Sequence, residues 1–118
     1  MNLLMVFVGG GLGSMARYAI STATKGLMPF PLGTLTVNVI GSFLMGLLVT
    51  FLIGKSFSES ARLMLAVGFL GGFTTFSSFS LETLMLFEKG QTLAAASNVI
   101  LNLALGLPAA ALGVHLAK

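Results

Sequence analysis

A run of hydroxyl and phenyl side chains interrupts the third apolar stretch of the sequence, in the letters GFTTFSSFS at residues 72–80. Phe76 and Phe79 are three residues apart and share a helix face, with Ser77 and Ser80 on the neighbouring face. Phenyl ring edges are electropositive and hydroxyl hydrogens are donors, so both suit a small dehydrated anion. Rings presented face-on would suit a cation instead, and the donor-rich surroundings favour the anion.

Glycine and threonine residues just before this run predict an interruption of the helix. Gly68, Gly71 and Gly72 precede Thr74 and Thr75, and each glycine costs a helix interior about 1 kcal/mol. Non-helical backbone at bilayer depth occurs where protein buries it or where it lines a cavity. We therefore expect a third helix that is broken near the membrane centre, with carbonyls free for a cation and amides free for an anion.

Polar side chains in the other apolar stretches extend this pattern. Thr34, Asn38 and then Gly41 or Ser42 follow one another at spacings of three or four residues and share one helix face. Asn38 either bonds a neighbouring helix or donates its amide hydrogens to a passing ion. Arg17 either extends to the near interface or faces a water-filled vestibule that attracts anions. Glu82 is either an interfacial carboxylate or a hydrogen-bonded gatekeeper of the ion path.

Two further patterns predict contacts between helices. Asn98 and Asn102 are one helical turn apart in the last apolar stretch, and we expect them to make interhelical hydrogen bonds. Gly9 and Gly13 have the small-xxx-small spacing that lets helix backbones approach closely. We therefore expect both glycines to lie at a packing face.

Composition indicates an integral membrane protein. The 118 residues have a mean hydropathy of +1.03, and 56% are hydrophobic while 8% are charged; soluble domains carry about 25% charged residues. The sequence has no cysteine, one histidine and three acids, which gives enzyme chemistry no nucleophile–base pair. Its net charge of +3 comes from scattered residues, so we expect no nucleic-acid partner.

Four apolar segments reach the roughly 20 residues that a membrane-spanning helix needs. They cover residues 3–22, 34–53, 62–87 and 92–116, and the whole chain 1–118 forms a single four-helix unit. The N-terminal stretch has no basic residue before its apolar run, so we expect a retained first helix and not a leader. Ser58 is the expected cap of the third helix.

Basic residues are balanced between the two ends of the predicted bundle. One end carries Lys55, Arg62 and Lys118, and the other carries Lys25, Lys89 and Arg17. Because the positive-inside rule then selects no orientation, both orientations are expected to insert. Four short helices also enclose a pathway poorly, and twofold assembly is the usual remedy. The fold class predicted is therefore all-α, with four spans per chain, assembled as an antiparallel, dual-topology homodimer.

Three sequence blocks resemble, in order, the signature blocks of the Fluc (CrcB) family of fluoride ion channels. They are GGGLGSMARY at 9–18, GTLTVNVIGSFLMG at 33–46 and GFLGGFTTFSSFS at 68–80. The resemblance implies an antiparallel homodimer in the cell membrane that exports fluoride passively through two pores. It alone selects fluoride over chloride, since neither composition nor spacing does.

The family's functional positions map onto residues named above. Phe76 and Phe79 resemble its paired pore phenylalanines, Asn38 its pore asparagine and Arg17 its first-helix arginine. The positions that match or neighbour its polar track are Thr34, Ser77, Ser78, Ser80 and Glu82.

The resemblance also implies a bound cation. Gly71 and Thr74 match positions whose backbone carbonyls hold a structural sodium ion at the dimer interface. Because carbonyls at a helix break are fixed ligands, this sodium is expected to be structural and not cotransported.

Two other functions compete with the channel. A proton-coupled exporter of cationic compounds needs a carboxylate embedded in the membrane, but the first two apolar stretches contain no Asp or Glu and Glu82 lies toward the end of the third. A purely structural membrane subunit predicts small residues at packing faces without the Phe, Ser and Thr concentration at one depth.

Overall fold

The computed structural model describes residues 1–52 and 57–118, and its regular elements are all helical. They are α1 (Asn2–Thr24), α2 (Leu32–Leu52), α3 (Glu59–Arg62), a π-helical segment (Leu63–Leu70), α4 (Gly71–Phe73), α5 (Ser77–Glu88) and α6 (Thr92–Ala117). The all-helical prediction is confirmed. The predicted end of the second stretch at Ile53 and the basic connector residue Lys55 lie outside the described residues.

Four helical stretches in the described part of the chain are long and apolar enough to span a membrane. They are Asn2–Thr24, Leu32–Leu52, Glu59–Glu88 and Thr92–Ala117. The third begins before the predicted residue 62, because the Ser58 hydroxyl accepts a hydrogen bond from the Ala61 amide at 3.1 Å and so caps α3. The predicted Ser58 cap is confirmed, and polar residues in this first turn explain why hydropathy placed the start too late.

The outer surface of the chain is apolar along most of its length. Leu3 in α1 is 86% exposed and Leu93 in α6 is 82% exposed. A soluble protein would bury such side chains, whereas lipid tails or another copy of the chain cover them without cost.

Glycines bring α1 into backbone contact with the π-helical segment. A Cβ at Gly9 would overlap the Met64 carbonyl, and a Cβ at Gly13 would overlap the Phe69 carbonyl. From the other side, a Cβ at Gly68 would come within 2.9 Å of a backbone oxygen of α1. The predicted packing role of Gly9 and Gly13 is confirmed, since only a hydrogen side chain fits these crossings.

The second close pair is α2 with α6. A Cβ at Gly46 would overlap the Ala110 carbonyl of α6, and a Cβ at Gly113 would overlap the Phe43 carbonyl of α2. The two helices thus approach through glycines contributed by both partners. This close approach lets short polar side chains of α2 and α6 reach each other.

Substitution of Gly13 tests the backbone contact between α1 and the π-helical segment. Gly13→Ala is expected to lower the free energy of unfolding by about 1–3 kcal/mol, the usual cost of overpacking. Gly11→Ala is the matched control, because nothing lies within 4 Å of a Cβ at Gly11. Reversible unfolding in mixed micelles measures both, and equal stabilities of the two variants would contradict the assigned contact.

Candidate functional site

The helical backbone of the third span is interrupted between α4 and α5. Helical geometry ends at Phe73, and Thr74 is extended, with φ −90° and ψ 160°. It resumes at Ser77, the first residue of α5. The Thr74 amide still bonds the Leu70 carbonyl, and the Phe76 carbonyl still accepts from the Ser80 amide. The peptide groups of Thr75, between them, need partners outside a helix.

Asn38 of α2 satisfies the peptide groups of Thr75. The Asn38 Nδ2 group donates to the Thr75 carbonyl at 3.0 Å, and the Thr75 amide donates to Asn38 Oδ1 at 2.9 Å. The second Nδ2 hydrogen goes to Asn102 Oδ1 at 3.0 Å. Both amide hydrogens of Asn38 are thus committed within the chain, and the side chain replaces the missing helical hydrogen bonds.

The Thr75 hydroxyl accepts a hydrogen bond from the first turn of α5. The Ser78 amide donates to Thr75 Oγ1 at 3.2 Å, and Ser77 Oγ lies 3.4 Å from the same oxygen. In a continuous helix the Thr75 and Ser78 amides would bond the carbonyls of Gly71 and Thr74. Both amides are diverted to side chains, so these two carbonyls lose their helical donors.

Arg17 of α1 binds the carbonyl between those two positions. Its Nε group donates to the Gly72 carbonyl at 3.0 Å, across the sequence from α1 to α4. The half-buried guanidinium therefore stabilises the C-terminal end of α4, where carbonyls carry partial negative charge.

The two phenylalanines on either side of the α5 start form a pair. The Phe76 and Phe79 ring centroids are 5.7 Å apart and their planes are tilted by 48°. Phe76 is 78% exposed, whereas Phe79 is half-buried. The buried Phe73, in contrast, stacks on Phe69 at 5.8 Å and belongs to the packing core.

A cavity of about 550 Å³ opens beside the interruption. Phe76 forms part of its wall, and its polar lining comes from Asn38, Ser42, Thr50, Thr74 and Thr75. Apolar residues of α2 and α6 complete it, Val49 and Val114 among others. The cavity thus joins Asn38, Thr74 and Phe76, three residues that the sequence singled out.

A second polar contact lies toward the α1–α2 connector. The buried Thr34 hydroxyl donates to Glu82 Oε1 at 2.6 Å, a charge-assisted bond between α2 and α5. Glu82 borders two cavities of about 370 and 300 Å³, one lined also by Lys25 and the other by Lys89. This end of the chain therefore combines one carboxylate with two basic side chains.

The serines of α5 do not form a continuous row of free hydroxyls. Ser80 Oγ donates to the Phe76 carbonyl of its own helix at 3.0 Å. Ser80 borders a cavity of about 480 Å³ together with Thr83, while Ser77 is exposed and Ser78 half-buried. The candidate residues thus occupy separate cavities of the single chain.

The asparagines of α6 make the predicted interhelical bonds. Asn98 Nδ2 donates to Thr83 Oγ1 of α5 at 2.9 Å, and Asn102 accepts from Asn38 of α2. From the sequence, Thr75 was named only as part of the predicted interruption and not as a site residue, and Thr83 was not named at all. Thr75 had a local signal, a threonine three residues before the Ser78 amide at a helix start, but Thr83 had none.

The fold and the site define a multi-pass helical membrane protein with a hydrogen-bonded interruption in its third span. Residues 4–114 match the family described as CrcB-like protein, Camphor Resistance (CrcB). The chain belongs to this family, and it is a multi-pass cell membrane protein.

Relatives of known name support the membership over the full chain. A protein of Granulibacter bethesdensis named fluoride-specific ion channel FluC is 46% identical over 100% of this chain and 95% of its own length. One of the same name from Coxiella burnetii (strain Dugway 5J108-111) is 47% identical over 100% and 98%. A third, from Francisella philomiragia, is 43% identical over 96% and 92%.

Removal of the Thr34 hydroxyl tests the bond to Glu82. Thr34→Val is expected to lower the free energy of unfolding by about 1.5–3 kcal/mol, the range for a bond to a charged group. In a Glu82→Gln background the cost should fall to about 1 kcal/mol, because the acceptor is then neutral.

Thr36→Val is the matched control for this measurement. Its hydroxyl bonds only the Leu32 carbonyl of its own helix at 2.7 Å, so it loses a hydroxyl without losing a carboxylate partner. Equal costs for Thr34→Val and Thr36→Val in mixed-micelle unfolding would show that the Glu82 contact contributes nothing.

Proposed function

We propose that the chain is a fluoride channel, not an enzyme, that exports fluoride passively across the cell membrane. The observation that carries this proposal is the 46% identity over the whole chain to a protein named fluoride-specific ion channel. That likeness selects the ion, and the arrangement of donors and rings beside the interruption is suited to an anion.

The proposed pathway runs past the Phe76 and Phe79 rings. A fluoride ion there would contact ring edges, which carry the positive end of the quadrupole. The two ring centroids lie 5.7 Å apart, close enough for one small ion to contact both rings. Hydroxyls of Ser77 and Ser78 are the proposed donors that replace water along α5. Ser80 is proposed to join them by releasing the Phe76 carbonyl, which accepts its hydroxyl hydrogen at 3.0 Å.

Asn38 is proposed to position the cavity wall and not to donate a hydrogen bond directly to the ion. Its amide hydrogens bond Thr75 and Asn102, so it acts on the ion by fixing the Thr75 peptide at the cavity wall. Direct donation to fluoride would require it to release one of these bonds.

The ends of the pathway carry the remaining candidates. Lys25 and Lys89 beside Glu82 provide positive charge that raises the local anion concentration. Thr34 is proposed to hold the Glu82 carboxylate away from incoming anions through its 2.6 Å bond. Arg17 binds the Gly72 carbonyl through its Nε group, and the remaining guanidinium nitrogens are proposed to add positive charge to a vestibule.

The proposed assembly is an antiparallel, dual-topology homodimer. Phe76 is 78% exposed although it borders the cavity at the interruption, and a second copy would cover this face. The balance of basic residues at the two ends supports insertion in both orientations. The interruption at residues 74–76 would then lie near the membrane centre.

A structural sodium ion is proposed at the dimer interface. The Gly71 and Thr74 carbonyls have lost their helical donors to Asn38 and Thr75, and such oxygens are hard ligands suited to sodium. Bound there, sodium would supply positive charge that neutralises the carbonyl dipoles of two facing chains.

A cation exporter remains less well supported than the channel. It would need a carboxylate that releases a proton when substrate binds, and the carboxylate that faces the interior, Glu82, already accepts a short bond from Thr34. Two lysines also border its cavities, which disfavours a cationic substrate.

Replacement of the paired rings tests the pathway. Phe76→Ile and Phe79→Ile are each expected to slow fluoride efflux from liposomes by at least about tenfold, because the electropositive edges are lost. Phe7→Ile is the control, since Phe7 is an exposed ring of α1 far along the chain from the interruption. Wild-type efflux from both pore variants would exclude these rings from the pathway.

Sodium stoichiometry tests the proposed assembly. The purified protein is expected to bind one sodium ion for every two chains, and radioactive sodium should not move with fluoride during efflux from liposomes. Its ligands are backbone oxygens at a fixed position, so no transport cycle releases it. One sodium per chain, or sodium flux proportional to fluoride flux, would contradict the shared structural site.

A further inference from the structure

Four hydrogen bonds of the interior run in one direction through three helices. Asn38 donates to Asn102 at 3.0 Å, Asn102 donates to Asn98 Oδ1 at 3.1 Å, and Asn98 donates to Thr83 Oγ1 at 2.9 Å. Thr83 Oγ1 then donates to the Phe79 carbonyl at 2.7 Å. We call this series of side chains, from Asn38 through Asn102 and Asn98 to Thr83, the amide relay.

The direction of the relay fixes each amide in one orientation. Every asparagine presents its oxygen to the preceding donor and its NH2 group to the following acceptor. Rotation of either Asn98 or Asn102 by half a turn would set two NH2 groups against each other. The relay is therefore a rigid connection, since no single side chain can change its orientation without loss of a buried bond.

Both ends of the relay attach to the segment that carries the paired rings. At one end Asn38 binds both peptide groups of Thr75, the residue before Phe76. At the other end Thr83 binds the carbonyl of Phe79. The rings thus lie between two anchored backbone positions, and α2 and α6 supply the connection between the anchors.

Asn98 occupies the most protected position in this connection. Its exposed fraction is 0%, so an ion in a cavity cannot touch its side chain. Any effect of Asn98 on ion passage must therefore act through the residues that it holds.

From this geometry we infer that the amide relay positions Phe76 and Phe79, and that Asn98, Asn102 and Thr83 act as positioning residues for ion selectivity. The inference rests on the proposed fluoride function for its transport consequence. Its structural part, the fixed placement of the two rings, stands on the hydrogen bonds alone.

The test cuts the relay without leaving a buried polar group unpaired. Asn98→Leu combined with Thr83→Val replaces both partners of one bond by apolar side chains, a change that proteins tolerate well. Asn102 Nδ2 keeps the Asn98 backbone carbonyl, its partner at 2.8 Å. Should the double variant fail to fold, Asn98→Leu alone cuts the same bond, because Thr83 Oγ1 keeps the Phe79 carbonyl as its acceptor at 2.7 Å.

Two measurements distinguish an effect of the relay on ring placement from an effect on ion transport. Fluorine NMR of 4-fluorophenylalanine placed at position 76 or 79 reports ring placement without any transport. Efflux of fluoride and of chloride from liposomes reports selectivity. Cutting the relay is expected to shift or broaden both fluorine resonances and to lower the fluoride-to-chloride rate ratio about fivefold, the factor corresponding to roughly one hydrogen bond.

Two variants control for the loss of a hydroxyl as such. Thr83→Ser keeps the hydroxyl and is expected to retain the wild-type spectra and rate ratio. Thr36→Val removes a hydroxyl that bonds only its own helix and is expected to do the same. Equal effects of Thr36→Val and the relay variants would assign the change to general destabilisation and overturn the inference.

The outcomes for the relay and for the proposed function are distinct. Unchanged resonances and an unchanged rate ratio in a folded relay variant would overturn the relay while leaving the channel intact. A wild-type protein that releases no fluoride would overturn the channel, and the fluorine spectra would still decide whether the relay positions the rings.

Discussion

The structure depends on one constraint, which is that backbone polar groups inside a membrane must find partners within the protein. The third span breaks its helix at residues 74–76 and meets this constraint with side chains. Asn38 binds both peptide groups of Thr75, and the Thr75 hydroxyl receives the Ser78 amide. Arg17 binds the Gly72 carbonyl. Each unpaired group in the interruption would otherwise cost several kcal/mol. With these partners in place, the interruption has a single, hydrogen-bonded conformation.

Close helix packing makes these short connections possible. Gly13 lets α1 approach the π-helical segment, and Gly46 lets α2 approach α6. Asparagine side chains span only the distance between adjacent backbones, so Asn38 reaches both Asn102 and Thr75 because the helices are this close. The glycines and the hydrogen bonds therefore depend on each other. Together they place the Phe76 ring at a cavity wall and the Phe79 ring beside it.

Features that depend on short-range sequence patterns were predictable, whereas the hydrogen-bond partners of the polar residues were not. The Ser58 cap, the glycine packing faces and the interhelical role of Asn98 follow from short-range spacing and helix periodicity. The division of Asn38 between Thr75 and Asn102 depends on contacts between residues far apart in sequence, which one-dimensional patterns do not encode. The separation of Glu82 from the cavity at Asn38 likewise follows from the three-dimensional path of α5.

The proposed function of this arrangement is to conduct fluoride and exclude chloride. The most direct test is ion efflux from liposomes that contain the purified, folded protein, followed at the same time with fluoride-sensitive and chloride-sensitive electrodes. Rapid fluoride release with negligible chloride release is the predicted result. Absence of fluoride release, or equally rapid release of both ions, would contradict the claim.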